Sequence, residues 1–115
     1  MIMKRVIISI SYFQKTIKSL IAKHKLLSKD FEEFKKNLTE YPEMGDLITA
    51  TGGVRKIRLK SASKGKRGGF RVCYLDDPFH NEIFLLSIYP KNEQEDLTSD
   101  EKKNLKEIAI LLRER

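Results

Sequence analysis

The chain holds no tryptophan, one cysteine and two histidines in 115 residues. A single cysteine excludes an internal disulfide and a cysteine-built metal site. Cys73 falls mid-strand in Phe70-Arg71-Val72-Cys73-Tyr74-Leu75, where a small buried apolar residue is expected rather than a reactive thiol. His24 and His80 lack ligand spacing; one is expected on a helix surface, the other in a turn, and neither is assigned to a metal. No apolar run approaches the roughly 20 residues that cross a bilayer. The N-terminal MIMKRVIISISYF is too short in its apolar stretch for a signal-peptide core and offers no small-residue cleavage site. The expectation is one cytoplasmic domain over residues 1–115, with no membrane, metal or cofactor.

Acid is also missing from one long stretch. No Asp or Glu occurs between Asp46 and Asp76, while Arg55, Lys56, Arg58, Lys60, Lys64, Lys66, Arg67 and Arg71 all do. Setting those eight aside, the 23 Lys and Arg fall to 15 against 16 acids, so the net charge of +7 resides in this segment. Such a field concentrates polyanions, of which nucleic-acid phosphate is the commonest in a cell. A solvated loop alone would not carry its basic residues in alternation into a strand.

The apolar residues recur at regular intervals, which excludes disorder and suffices for one modest core. Val6–Ile10 reads as a β-branched strand. Ser11 then caps a helix striped by Phe13, Ile17, Leu20 and Ile21. A second helix starts near Ser28 or Asp30, carries Phe31, Phe34, Leu38 and Tyr41 on one face, and stops at Pro42. The two are expected to form an antiparallel hairpin. After a loop over Pro42–Gly53 come strands Val54–Lys60, Gly69–Asp76 and Glu82–Tyr89, with a basic loop Ser61–Gly68 and a turn Asp76–Asn81 between them. Thr98 with Glu101 forms a capping box, and Leu105, Ile108, Ala109 and Leu112 stripe a last helix.

Alternation along the strands sorts side chains by face. Ile57 and Leu59 oppose Lys56, Arg58 and Lys60; Phe70, Val72 and Tyr74 oppose Arg71 and Cys73; Phe84, Leu86 and Ile88 oppose Leu85, Ser87 and Tyr89. With the more apolar set against the helices, Lys56, Arg58, Arg71, Ser87 and Tyr89 share an open, basic sheet face flanked by the Lys64–Arg67 loop. A face that collects cations and a tyrosine on rigid strands is read as a phosphate-binding surface.

Tyr41-Pro42-Glu43-Met44-Gly45-Asp46, Gly52-Gly53-Val54-Arg55-Lys56-Ile57-Arg58, Gly65-Lys66-Arg67-Gly68-Gly69-Phe70-Arg71-Val72-Cys73-Tyr74 and Ile88-Tyr89-Pro90-Lys91-Asn92-Glu93 together resemble a HigB-type toxin of the RelE/ParE superfamily. The resemblance spans the whole chain and is strongest over residues 42–98. It implies an α+β, RelE-like β-α-α-β-β-β-α fold, with a mostly antiparallel sheet and helices packed on one face. It also implies a type II toxin held inactive by a cognate antitoxin protein, which cuts mRNA in the ribosomal A site. Cleavage in that superfamily proceeds without metal, by attack of the RNA 2′-OH on the adjacent phosphate. ParE toxins of the same superfamily act on DNA gyrase instead, so a gyrase poison remains an alternative, as does a non-enzymatic RNA- or ribosome-binding module.

Transesterification needs a base for the 2′-OH, charge at the phosphorane and an acid for the leaving 5′-oxygen. The basic segment contains no Glu or His, so the usual bases are absent there. Arg71, mid-strand, offers a planar fork to phosphate oxygens and matches the family's phosphate-binding strand arginine. Lys56 and Arg58 match its paired basic positions. Crowding among Lys64, Lys66, Arg67 and Arg71 would depress a lysine enough for proton transfer. Tyr89 would stack on a base or position the 2′-OH. The expected catalytic set is Arg71, Lys64, Lys66 and Tyr89, with Lys56, Arg58, Arg67 and Lys91 binding substrate and the base and acid unassigned. Glu93, Glu95 and Asp96 are read as structural, being acids ahead of a helix N-terminus. Gly65-Lys66-Arg67 is not a nucleotide-binding loop, since no Ser or Thr follows Lys66.

Overall fold

A computed structural model describes residues 4–23, 28–60, 69–94 and 96–115. Its elements run β1 (Val6–Ser9), α1 (Ser11–Lys23), α2 (Ser28–Glu40), β2 (Asp46–Leu47), β3 (Arg55–Leu59), β4 (Phe70–Asp77), β5 (Glu82–Pro90) and α3 (Ser99–Arg113). The strands form one sheet in the order β1-β5-β4-β3-β2. β1 runs parallel to β5, and the other pairings are antiparallel. The α+β class and mostly antiparallel sheet are as expected. The two-residue strand β2, inside the expected loop, is an addition that its length hid from any periodicity.

α1 and α2 form where their apolar positions recur at helical spacing, and they deliver Phe13, Ile17, Leu20, Phe34 and Leu38 to one sheet face. There they meet Leu59, Phe70, Val72, Tyr74, Ile83, Leu85 and Ile88. α2 begins at Ser28, so Asp30 sits in its first turn. Tyr41 lies past its end and is 63 % exposed, because Pro42 cannot continue the helix.

The helices do not all lie on one face. α3 packs on the opposite side, where Leu105 and Ala109 join Val54, Cys73, Leu75, Phe84, Leu86 and Tyr89. A bulge in β5 decides which of its residues meet that helix. Cys73 pairs with Ser87, but Tyr74 pairs with Leu85, leaving Leu86 as an extra residue. Uninterrupted alternation would put Phe84 and Leu86 with Ile88 on the α1/α2 face. The bulge sends them to the other face, and a helix must cover them. Ala109, fully buried, lets α3 approach the sheet closely; a larger side chain there would push it away.

One long-range buckle closes the fold. The Tyr74 hydroxyl donates to Pro42 O at 2.8 Å and accepts from Gly45 N–H at 2.9 Å. Arg55 Nη1 donates to Glu43 O and Gly45 O. A Cβ on Gly45 would lie 2.8 Å from the Tyr74 ring, so only glycine fits there. Part of the motif that suggested the family is thus a structural lock.

Candidate nucleic-acid interface

Strand register places the expected residues in two adjacent rows across β3, β4 and β5. Lys56, Cys73 and Ser87 are partners in one row; Arg58, Arg71 and Tyr89 are partners in the next. Directly opposed residues of an antiparallel pair point to the same face with Cβ atoms about 5 Å apart. Both rows face α3, since Cys73 and Tyr89 belong to its core cluster. Arg58 and Arg71 therefore stand opposite each other, two cations on one face. Gly69, at φ +130°, lets the chain enter β4 close beside Leu59 O, which a Cβ would approach to 3.1 Å.

The face is less open than expected. α3 and its preceding segment cover the Cys73–Leu86 half, leaving Arg58 exposed and Lys56 and Arg71 half-buried. Burial pushes the Cys73 thiol up, partly offset by the Ser87 hydroxyl across the strand pair, which keeps it an inert packing group. Tyr89 is 8 % exposed, so its ring has no free face for a nucleobase. Its hydroxyl is buried without a hydrogen-bond partner. Burial first, then the neighbouring Cys73 and after it the negative field of Asp96, raises its pKa to about 12, against the opposing charge of Arg71. Tyr89 at neutral pH is thus a protonated, unpaired donor beside a guanidinium.

Lys64, Lys66 and Arg67 lie outside the described residues, as do His24 and Glu95. Lys91 follows β5, and its backbone N–H donates to Gly69 O at 3.1 Å, tying together the ends of the two central strands. Its half-buried side chain is therefore held at the same end of the sheet as Arg58, Arg71 and Tyr89. The carboxylate absent from the basic segment arrives from outside it: Asp96 Oδ1 stands 3.7 Å from Lys56 Nζ. Sequence reasoning missed this approach. The only hint was the capping box, which is present in full and anchors the loop just ahead of α3.

Asp77, His80 and Glu82 cluster at the far end of β4 and β5, with ligand atoms within 4.8 Å of one another. Their donors are engaged. His80 Nδ1 lies 2.7 Å from Asp77 Oδ2, and Arg115 bridges Asp77 and Glu82 while its guanidinium covers the Phe84 ring. This arrangement ties the chain end to the hairpin. Among the described residues, no helix is long and apolar enough to cross a membrane.

The family described as "RelE toxin of RelE / RelB toxin-antitoxin system" matches residues 5–115. Among solved structures, the chain is similar to a double arginine-to-alanine mutant of the E. coli toxin RelE in the free state. The identity is 21 %, the match covers 81 % of this chain and 90 % of that one, and the TM-score is 0.51. That likeness supports the fold.

Proposed function

The chain belongs to the RelE toxin family of toxin–antitoxin systems, and from that premise we propose that it is a HigB-type, ribosome-dependent mRNA endoribonuclease. It acts in the cytoplasm, cuts in the A site and is silenced by a cognate antitoxin. The observation that carries the reading is the row Arg58–Arg71–Tyr89, which sets two guanidinium groups and one unpaired phenol on a single sheet face.

In this mechanism the 2′-oxygen attacks the adjacent phosphorus while the P–O5′ bond breaks. The 2′-OH proton passes to a base, a proton reaches the departing 5′-oxygen, and the products are a 2′,3′-cyclic phosphate and a 5′-hydroxyl. Arg71 neutralises charge as it builds on the phosphorane, and Arg58 and Lys56 hold the flanking phosphates. Tyr89, protonated over the whole physiological range, donates a hydrogen bond to a phosphate oxygen or to the 2′-oxygen and does not serve as the base. Lys64, Lys66, Arg67 and Lys91 complete the cationic set around the RNA.

Primer extension on a model transcript tests this reading. Expression should produce cuts inside the translated region that disappear when the start codon is removed. Cuts that persist without translation would refute ribosome dependence, and arrest of replication ahead of translation would favour a gyrase poison.

A further inference from the structure

We propose that Asp96 gates the basic face: its carboxylate occupies Lys56 until an RNA phosphate displaces it. The inference deepens the RNA-binding reading above and rests on it. Lys56 Nζ and Asp96 Oδ1 are 3.7 Å apart, in the row next to Arg58, Arg71 and Tyr89. The two partners are held differently. Lys56 is the end of a flexible stem, whereas Asp96 is fixed by backbone.

Asp96 Oδ1 accepts the Leu97 N–H at 2.8 Å. Gln94 Nε2 donates to Asp96 O at 2.9 Å and to Glu101 Oε1 at 2.7 Å. The same Glu101 oxygen accepts the Thr98 N–H in the capping box. The N-terminus of α3 therefore presents a negative group to the basic face in a set position. Its field reaches the two groups beneath, contributing to the raised pKa of both Tyr89 and Cys73.

Charge, and not proton transfer, is the role the surroundings permit. The Leu97 N–H and then Lys56 hold the Asp96 carboxyl below its usual range, which makes it a weak base. Its side chain is 68 % exposed, so water and an incoming phosphate both have access to the ion pair. A carboxylate here competes with phosphate for one lysine. A ligand with a single phosphate gains little by the exchange. A strand whose neighbouring phosphates engage Arg58 and Arg71 at the same time completes it.

The test is binding of a 2′-O-methylated single-stranded RNA, which cannot be cut, at a series of salt concentrations. Asp96→Asn keeps an oxygen for the Leu97 N–H and removes only the charge. It should bind roughly threefold more tightly at low salt, with a log–log slope steeper by about 0.7, the increment for one added cation. Asp96→Glu should return towards wild type. In a Lys56→Gln background Asp96→Asn should have no effect, as a double-mutant cycle reads it. An unchanged affinity in Asp96→Asn overturns the gate, and so does a gain that survives loss of Lys56, which would mean plain repulsion. Failure of every variant to bind overturns the gate together with the RNA reading. Cleavage of translated mRNA by the wild type is scored separately. Cutting without the Asp96 effect removes the gate alone, and the Asp96 effect without cutting removes the nuclease assignment alone.

Discussion

Tyr74 and Tyr89 sit on neighbouring strands, are both buried, and both have phenols raised above their ordinary pKa first of all by burial. Their hydroxyls differ. Tyr74 OH has a donor and an acceptor and fastens the Pro42–Gly45 turn to the sheet. Tyr89 OH has neither, and it lies beside Arg71. A buried polar group without a partner costs stability, so one retained next to a cation points to a partner that arrives later. The same side chain is a lock in one place and an unpaired donor in the other.

The largest expected effect lies on the Tyr89 side. Arg71→Ala should slow cleavage on saturated ribosomes about 100- to 1000-fold, the usual cost of losing one preorganised donor at a developing oxyanion. Its melting temperature should hold, since Arg71 belongs to neither hydrophobic cluster. Near wild-type cutting by a normally melting variant would remove Arg71 from the mechanism. Tyr89→Phe should lower the rate roughly 10- to 100-fold, equivalent to one charge-assisted hydrogen bond of about 1.5–3 kcal/mol, with no loss of stability.

Tyr74→Phe should do the reverse. It strands Gly45 N–H and Pro42 C=O, so unfolding by denaturant should show a loss of about 1–3 kcal/mol, while cutting by the folded fraction stays near wild type. If both phenylalanine variants lose stability and keep activity, the contrast between the two tyrosines is wrong.

The smallest effects are in pH. Tyr89 ionises near 10 when unfolded and at about 12 when folded. Stability is therefore insensitive to this group below pH 10 and falls as pH rises towards 12, because the folded state resists its ionisation; Tyr89→Phe should flatten that part of an alkaline unfolding curve. Asp77 behaves oppositely. Burial alone would raise its carboxyl, but hydrogen bonds from His80 and the charge of Arg115 outweigh it and hold the carboxyl below its usual range. Its contribution is present above about pH 3.9 and is lost as pH falls through the depressed value. Asp77→Asn should remove that acid-side slope.

Much of this was legible before any coordinates. The stripes of α1 (apart from Ile21, which is exposed) and α3, the Thr98–Glu101 capping box and the burial of Cys73 follow from spacing and local chemistry, which act over a few residues. So did the shared face of Lys56, Arg58 and Arg71, since strict alternation holds in β3 and in the first half of β4. Alternation misled beyond the bulge. Nothing in Phe84-Leu85-Leu86-Ser87 announces an extra residue, and with it went the expected facing of Phe84 and Leu86. Asp96 was read as a helix-terminal acid because its meeting with Lys56 spans 40 positions of chain and has no local signal.

The parallel pairing of β1 with β5 has a consequence in time. Val6–Ser9 must wait for Glu82–Leu85, so the first strand to leave the ribosome is among the last to find its place. Contacts so distant in sequence form slowly and require most of the chain to be synthesised. Tyr89 and Asp96 emerge later still. A nascent chain of this topology cannot complete its sheet until β5 has been made, and arrested chains ending before residue 82 should be open to protease along β1.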